Sequence, residues 1–297
     1  MASRAPIWYN KCEYLRIQQL SETSNYFTAL ADIYRGGKLT LQCYNEQVAN
    51  SSDMTTSVLT ELYRDALFNI KVTNLEMAIL IALTILWTLL RTFLVHFVFF
   101  PYAKYIGVLE KNTKKFGESA WKVVAYGIMW STACYVTFFR GHDFFFNTVQ
   151  MWKASSSSTD NDDLDLKWTY AIEASFYLHS IYSTIYMDIW RKDSRVMLAH
   201  HVVTLWLIAT SYAVGVRKIG VLIFVLDDVS DVVLEFGKVL MYVRHRNSGY
   251  SPAISIASDV VSAIFALQWL VLYSLPIHGV NFHLSLFPGL YFVCFIT

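Results

Sequence analysis

Seven apolar stretches, at about 75–100, 122–139, 168–189, 197–214, 219–240, 258–275 and 284–297, decide what this chain can fold into. A helix needs about 20 mostly apolar residues to cross roughly 30 Å of hydrocarbon, and most of these stretches approach that length. The expected fold is all-α, a polytopic transmembrane bundle of about seven spans. Composition agrees, with 55% hydrophobic and 16% charged residues and a mean hydropathy of +0.37, outside the usual soluble range. The last stretch, 284–297, makes only about 21 Å of helix at 1.5 Å per residue, so that span reads as truncated.

Orientation follows from the cations between stretches, because short cytosolic loops collect Lys and Arg. Lys104, Lys111, Lys114, Lys115 and Lys122 fall in one connection, Arg191, Lys192 and Arg195 in a second, and Arg244 and Arg246 in a third. In a seven-span arrangement all three lie on one side. The 140–167 connection, on the other side, is acidic around the run Ser155–Ser158. The N-terminus is therefore expected in the lumen, where Asn50-Ser51-Ser52 is a glycosylation acceptor. Trp121, Trp130, Trp168 and Trp190 lie at or near segment ends, as an interfacial aromatic belt requires. The start shows no basic region followed by an apolar core, so no cleaved signal peptide is expected and the first span would direct insertion. Net charge is +1 with no basic tract interleaved with aromatics, which gives no reason to expect a nucleic-acid partner. Cys134 and Cys294 sit in apolar runs as small hydrophobes, Cys12 and Cys43 could pair in a lumenal segment, and none has zinc spacing.

Two stretches carry groups that a bilayer penalises. His200 and His201 are adjacent in one, and Asp227, Asp228 and Asp231 lie inside the next. About fourteen strongly apolar side chains in 219–240 each favour insertion by roughly 0.3–0.6 kcal/mol, while each central aspartate costs about 2.5–3.5. The acids cancel the gain, so this helix must face protein or a wet cavity. Helical spacing places Asp227, Asp228, Asp231 and Glu235 along one side. The connection near 215–218 is very short, which makes the histidine helix and the aspartate helix expected antiparallel neighbours. His200 lies about 7 Å along the helix from Arg195, and Asp231 about 10 Å from Lys238, which puts both groups in the cytosolic half.

Several chemistries could use such a set. The groups could simply satisfy one another across a helix interface, although titratable groups are a costly way to hold helices together. Two histidines and two aspartates suit zinc or iron, but adjacent histidines point about 100° apart and no repeated HxxHH box is present, so no metal is expected. Ion transport along the acidic stripe lacks the broken half-helices of transporters. Acid–base or nucleophilic chemistry fits best, with an imidazole that takes a proton or attacks an acyl group and a carboxylate that orients it.

The stretch from Asp193 to Thr204 (Asp-Ser-Arg-Val-Met-Leu-Ala-His-His-Val-Val-Thr), Ser211-Tyr212, and Asp228-Val-Ser-Asp231 running on to Lys238 resemble the longevity-assurance motif of the ceramide synthases. His179–Asp193 and Glu118–Lys122 also look like that family, and the similarity covers about 100–297, its TLC domain. Only about twenty residues separate Phe100 from Trp121, as in the short branch without a homeobox-like insert. The resemblance implies N-acylation of a long-chain sphingoid base by a fatty acyl-CoA in the endoplasmic reticulum membrane, with stearoyl-length chains in that branch. Acyl-CoA is then a co-substrate and no cofactor is implied. Membrane lipid and a homo- or hetero-dimer mate are the remaining expected partners. His200, His201, Asp228 and Asp231 occupy the positions of the family's active-site residues, with His179 a possible accessory. Arg191, Lys192 and Arg195 would meet the polyanionic CoA, and Phe176, Tyr177, Trp206 and Phe224 could line an acyl slot. The family pattern is His-Asp-x-x-Asp, whereas this chain has Asp227 in the first place. An added carboxylate there would impair activity, and a catalytically impaired TLC protein acting as lipid sensor, regulator or dimer partner is the alternative. The expected organisation is a lumenal segment 1–74, a first span 75–100, a cytosolic linker 101–121 and a catalytic membrane domain 122–297.

Overall fold

A computed structural model describes residues 73–140, 161–191, 194–214, 217–246 and 249–274. Asn50, Cys12, Cys43, Cys294 and the 284–297 stretch lie outside them. Helix α1, Asn74–Leu94, starts from a capping box in which the Thr73 hydroxyl accepts from the Glu76 N–H while the Glu76 carboxylate accepts from the Thr73 N–H. A π-helical turn, Val95–Phe99, and helix α2, Phe100–Tyr105, extend it. The chain reverses at Gly107, whose φ of 76° is a conformation that L side chains resist. Helix α3, Glu110–Cys134, follows and ends in a second π-helical turn, Tyr135–Phe139. The basic linker is thus helical from Glu110 onward. Helices α4 (Asn161–Tyr186), α5 (Ser194–Val214) and α6 (Arg217–Arg244) come next. A two-residue antiparallel ladder, His245–Arg246 with Gly249–Tyr250, leads into α7, Pro252–Ser274.

The described residues form an all-α bundle of six long helices, and the seventh expected stretch, 284–297, lies outside them. Two stretches are long and apolar enough by themselves to cross a membrane, Asn74–Tyr105 and Ser194–Ala213, and the apolar part of α7, Pro252–Gln268, is shorter. The other long helices carry more charge, and α6 buries much of its own against its neighbours. The outer surfaces agree with a lipid environment. Ile81, Ile85, Leu89, Phe93 and Phe97 form an exposed stripe on α1 and its π turn, and Ile256, Val260, Ile264 and Leu267 form another on α7.

Helix α6 is the centre of the bundle, packed most extensively on α3 and α7, while α5 leans on α4 and α1 also packs on α4. The short connection between α5 and α6 does not make them intimate neighbours. Where they do meet, Ile208 of α5 joins Val221, Phe224 and Val225 of α6 and Tyr170 and Tyr177 of α4 in one apolar cluster. Gly220 is required there, because a Cβ would come 1.7 Å from the Tyr170 hydroxyl, which bonds Ser211 at 3.0 Å. A second cluster joins Trp87 of α1, Trp121, Tyr126 and Met129 of α3, and Phe176 of α4. Trp121 therefore belongs to the core and not to an interfacial belt, whereas Trp130, Trp168 and Trp190 are exposed. Its ring packs edge-on against Trp87 at 5.9 Å, a geometry the aromatic quadrupole favours.

Candidate active site

Helix α5 carries His200 and His201 on adjoining faces, with ring centroids 5.6 Å apart. His201 is buried, its Nδ1 has no hydrogen-bond partner, and its ring lies 5.8 Å from that of Tyr177 on α4. His200 is half-buried. Helix α6 presents Asp228 to the interior, fully buried, with Asp227 and Asp231 half-buried beside it. One helical turn before Tyr177, α4 carries Glu173, also buried. The Glu173 and Asp228 carboxyls meet, and Asp227 and Asp231 act on Glu173 electrostatically. The Tyr126 hydroxyl, from α3, donates to the Asp231 carboxylate.

Tyr177 ties the two halves together. Its ring packs on His201 while its phenol feels the charges of Asp231, Asp228 and Glu173. Lys122 makes a second link, since its ammonium acts on His201 and on Glu235 one turn beyond Asp231. His201 and the DxxD carboxylates thus share Tyr177, and His201 and Glu235 share Lys122. An imidazole able to move a proton and acids able to hold a cation occur together in a largely dry interior, where electrostatic effects are large.

Around the α4–α5 connection lies a ring of ion pairs that sequence inspection did not reveal. Arg91 of α1 pairs with Asp188, which Lys122 also approaches at 3.6 Å. Glu118 of α3 accepts from Arg191 at 2.7 Å and from the Ile189 N–H at 3.0 Å. Burial pushes the Glu118 carboxyl above its ordinary range, and the Ile189 N–H and Arg191 oppose that shift. Arg191 donates further to the Tyr242 hydroxyl at 3.3 Å. Lys238 closes the group with Glu235 at 2.7 Å. Of the three cations expected to meet CoA, Arg191 is thus engaged inside the fold and Arg195 is exposed, while Lys192 lies outside the described residues. His179 is buried between α1 and α4, bonded through Nδ1 to the Thr88 hydroxyl at 2.9 Å and set edge-on to Trp121 at 6.0 Å. Phe176 fills the apolar core, and Phe224 packs on Tyr170 at 5.0 Å.

Glu173 and Tyr126 were not singled out from sequence. A carboxylate in mid-helix between apolar and aromatic neighbours is itself the signal that could have found Glu173. Tyr126 carried none, because its role depends on which helix α6 packs against.

Residues 115–272 match the family model of the TLC domain. A Mus musculus protein named Ceramide synthase 1 is 38% identical over 209 residues, which cover 69% of this chain and 58% of that protein. The Homo sapiens protein of the same name is 39% identical over 186 residues, 62% of this chain and 52% of its own length. An Arabidopsis thaliana protein, Ceramide synthase 1 LOH3, is 36% identical over 166 residues, 55% of this chain and 50% of its own. The chain spans about half the length of the curated relatives it matches. With its family match extending over α3 to α7, and with both histidines and the DxxD acids inside the matched region, the chain belongs to the TLC-domain family.

Proposed function

We propose that this protein is an acyl-CoA-dependent sphingosine N-acyltransferase, which joins a long-chain fatty acyl group to the amine of sphinganine or sphingosine. The observation that carries this reading is that His201 of α5 shares Tyr177 with Asp228 and Asp231 of α6, and Lys122 with Glu235. Similarity to proteins named ceramide synthases supports it. The amine nitrogen attacks the thioester carbonyl, the C–N bond forms as the C–S bond breaks, and an imidazole passes the nitrogen's proton to the departing CoA sulfur. His200 carries or activates the acyl group, His201 assists as base, and Asp228 and Asp231 orient imidazole and amine.

In the same reading the chain is a multi-pass endoplasmic reticulum protein of about seven spans with a lumenal N-terminus. Residues 1–74 are the lumenal segment, 75–100 the first span, 101–121 the linker and 122–297 the catalytic domain. CoA approaches from the cytosol past Lys192 and Arg195, with Arg191 anchoring that loop. Microsomes given sphinganine and stearoyl-CoA test the activity: N-acyl product from the parent chain that vanishes in His200→Ala is expected, and none from well-folded parent protein refutes it. A glycan lost in Asn50→Gln checks the orientation.

One observation favours a second reading. Asp227 stands where the family pattern has histidine and acts electrostatically on Asp228 and Asp231, so the protein could instead serve as an impaired lipid sensor, regulator or dimer mate.

A further inference from the structure

The Glu173–Asp228 pair is the least satisfied polar feature in the described residues. Glu173 is 1% exposed and Asp228 2%, yet apart from each other's carboxyl neither oxygen of Glu173 nor Oδ2 of Asp228 has a hydrogen-bond partner. The two groups come from different helices and face each other, and the charges that act most strongly on them are further acids, Asp227 and Asp231. A buried acceptor left without a donor destabilises a fold, so native proteins keep such groups for a reason. Basic residues are not scarce nearby. The ring at the α4–α5 connection gives Asp188 both Arg91 and Lys122, and gives Glu118 its Arg191. The missing donors at Glu173 are therefore a property of that position.

What the pair lacks defines its ligand. It needs a positive charge with several N–H donors, presented at the end of an apolar body, since Tyr170, Tyr177 and Phe224 surround this level of the bundle. A primary ammonium supplies three donors and one charge. A metal ion suits the site less well, because the described residues include no group of three or more His, Cys, Asp and Glu arranged to hold one. Tyr177, one turn along α4 from Glu173, places the pair beside His201.

We propose that Glu173, together with Asp228, is the seat for the primary amine of the acceptor lipid and takes the proton that its ammonium must lose. This rests on the N-acyltransferase reading for its second half only. In that half the ammonium gives one proton to the carboxylate pair, and the freed nitrogen lone pair forms the C–N bond as the C–S bond breaks. The second proton leaves nitrogen for the CoA sulfur, and the pair returns its proton to water when the amide departs.

The test uses full-length protein in detergent, with direct binding of sphinganine, of its uncharged N-acetyl derivative and of a non-hydrolysable acyl-CoA analogue. Parent protein is expected to bind sphinganine at least tenfold more tightly than the N-acetyl lipid. Glu173→Gln should erase that preference while acyl-CoA analogue binding stays within twofold, and Glu173→Asp should restore part of it. Unchanged sphinganine preference in Glu173→Gln overturns the proposal, as does loss of both ligands in Glu173→Gln and Glu173→Asp together. Parent protein that prefers no amine, or in which Zn²⁺ displaces the amine in a Glu173-dependent way at micromolar concentration, also overturns it. Amine preference that depends on Glu173 in a parent that makes no N-acyl product upholds the seat and refutes the transferase reading.

Discussion

Two buried polar regions lie within a few helical turns of each other and differ in how their charges are met. Around the α4–α5 connection, Asp188 has Arg91 and Lys122, and Glu118 has Arg191 and the Ile189 N–H. Deeper in the bundle, Glu173 and Asp228 have only each other, and Nδ1 of His201 has no partner. The first arrangement fixes helices α1, α3 and α4 and the start of α5 to one another. The second leaves bonding capacity that only something from outside can use. Satisfaction separates the acids of the two regions, while Nη1 of Arg91 and Nε2 of His179 also lack a partner.

The sharpest way to break this contrast is to remove the imidazole that stands beside the second region. His200→Ala should lower N-acyl transfer by about 10²–10⁴-fold, the usual range for a lost acid–base group, with the melting temperature of the purified protein little changed. A large fall in melting temperature would move His200 into the structural class. Asp188→Asn should do the reverse. Stripping one partner from a buried pair costs about 3–5 kcal/mol, so thermal unfolding should come much earlier while turnover per folded molecule is mostly retained. Gly220→Ala tests the apolar cluster on the far side of Glu173 and Asp228 from the ion pairs. The added Cβ collides with the Tyr170 hydroxyl, and overpacking of this kind costs about 1–3 kcal/mol, readable by thermal unfolding. The smallest effect is expected from Asp227→His, which should raise turnover several-fold, about 1 kcal/mol or less of barrier. A lower rate in microsomes would show that the aspartate suits this chain as it stands.

Much of the fold could be read from apolar periodicity, because the cost of exposing polar backbone in hydrocarbon sets helix length. The expected stretches 197–214 and 219–240 became Ser194–Val214 and Arg217–Arg244. Helix partners were less legible. Few residues separate α5 from α6, yet α6 packs chiefly on α3 and α7, since side-chain fit and not chain proximity selects the partner. The linker looked like a loop because its lysines hid the helix that runs on into the apolar stretch. His200, His201, Asp228 and Asp231 stood out because each is expensive where it lies. Arg191 is a different case: a cation in a short basic connection reads as ligand contact or topology signal, and only packing against Glu118 and Tyr242 reveals its internal role.

Among the described residues, helix α5 leans on α4 and meets α6 only sparsely, so they leave one long flank of the element that bears His200 uncovered. An amphiphile already dissolved in the bilayer then has a sideways route toward the imidazole, and its tail need never cross an aqueous phase. In the proposed reaction the water-soluble thioester head and the greasy amine arrive by perpendicular paths, one down the helix axis and one in the plane of the sheet of lipid.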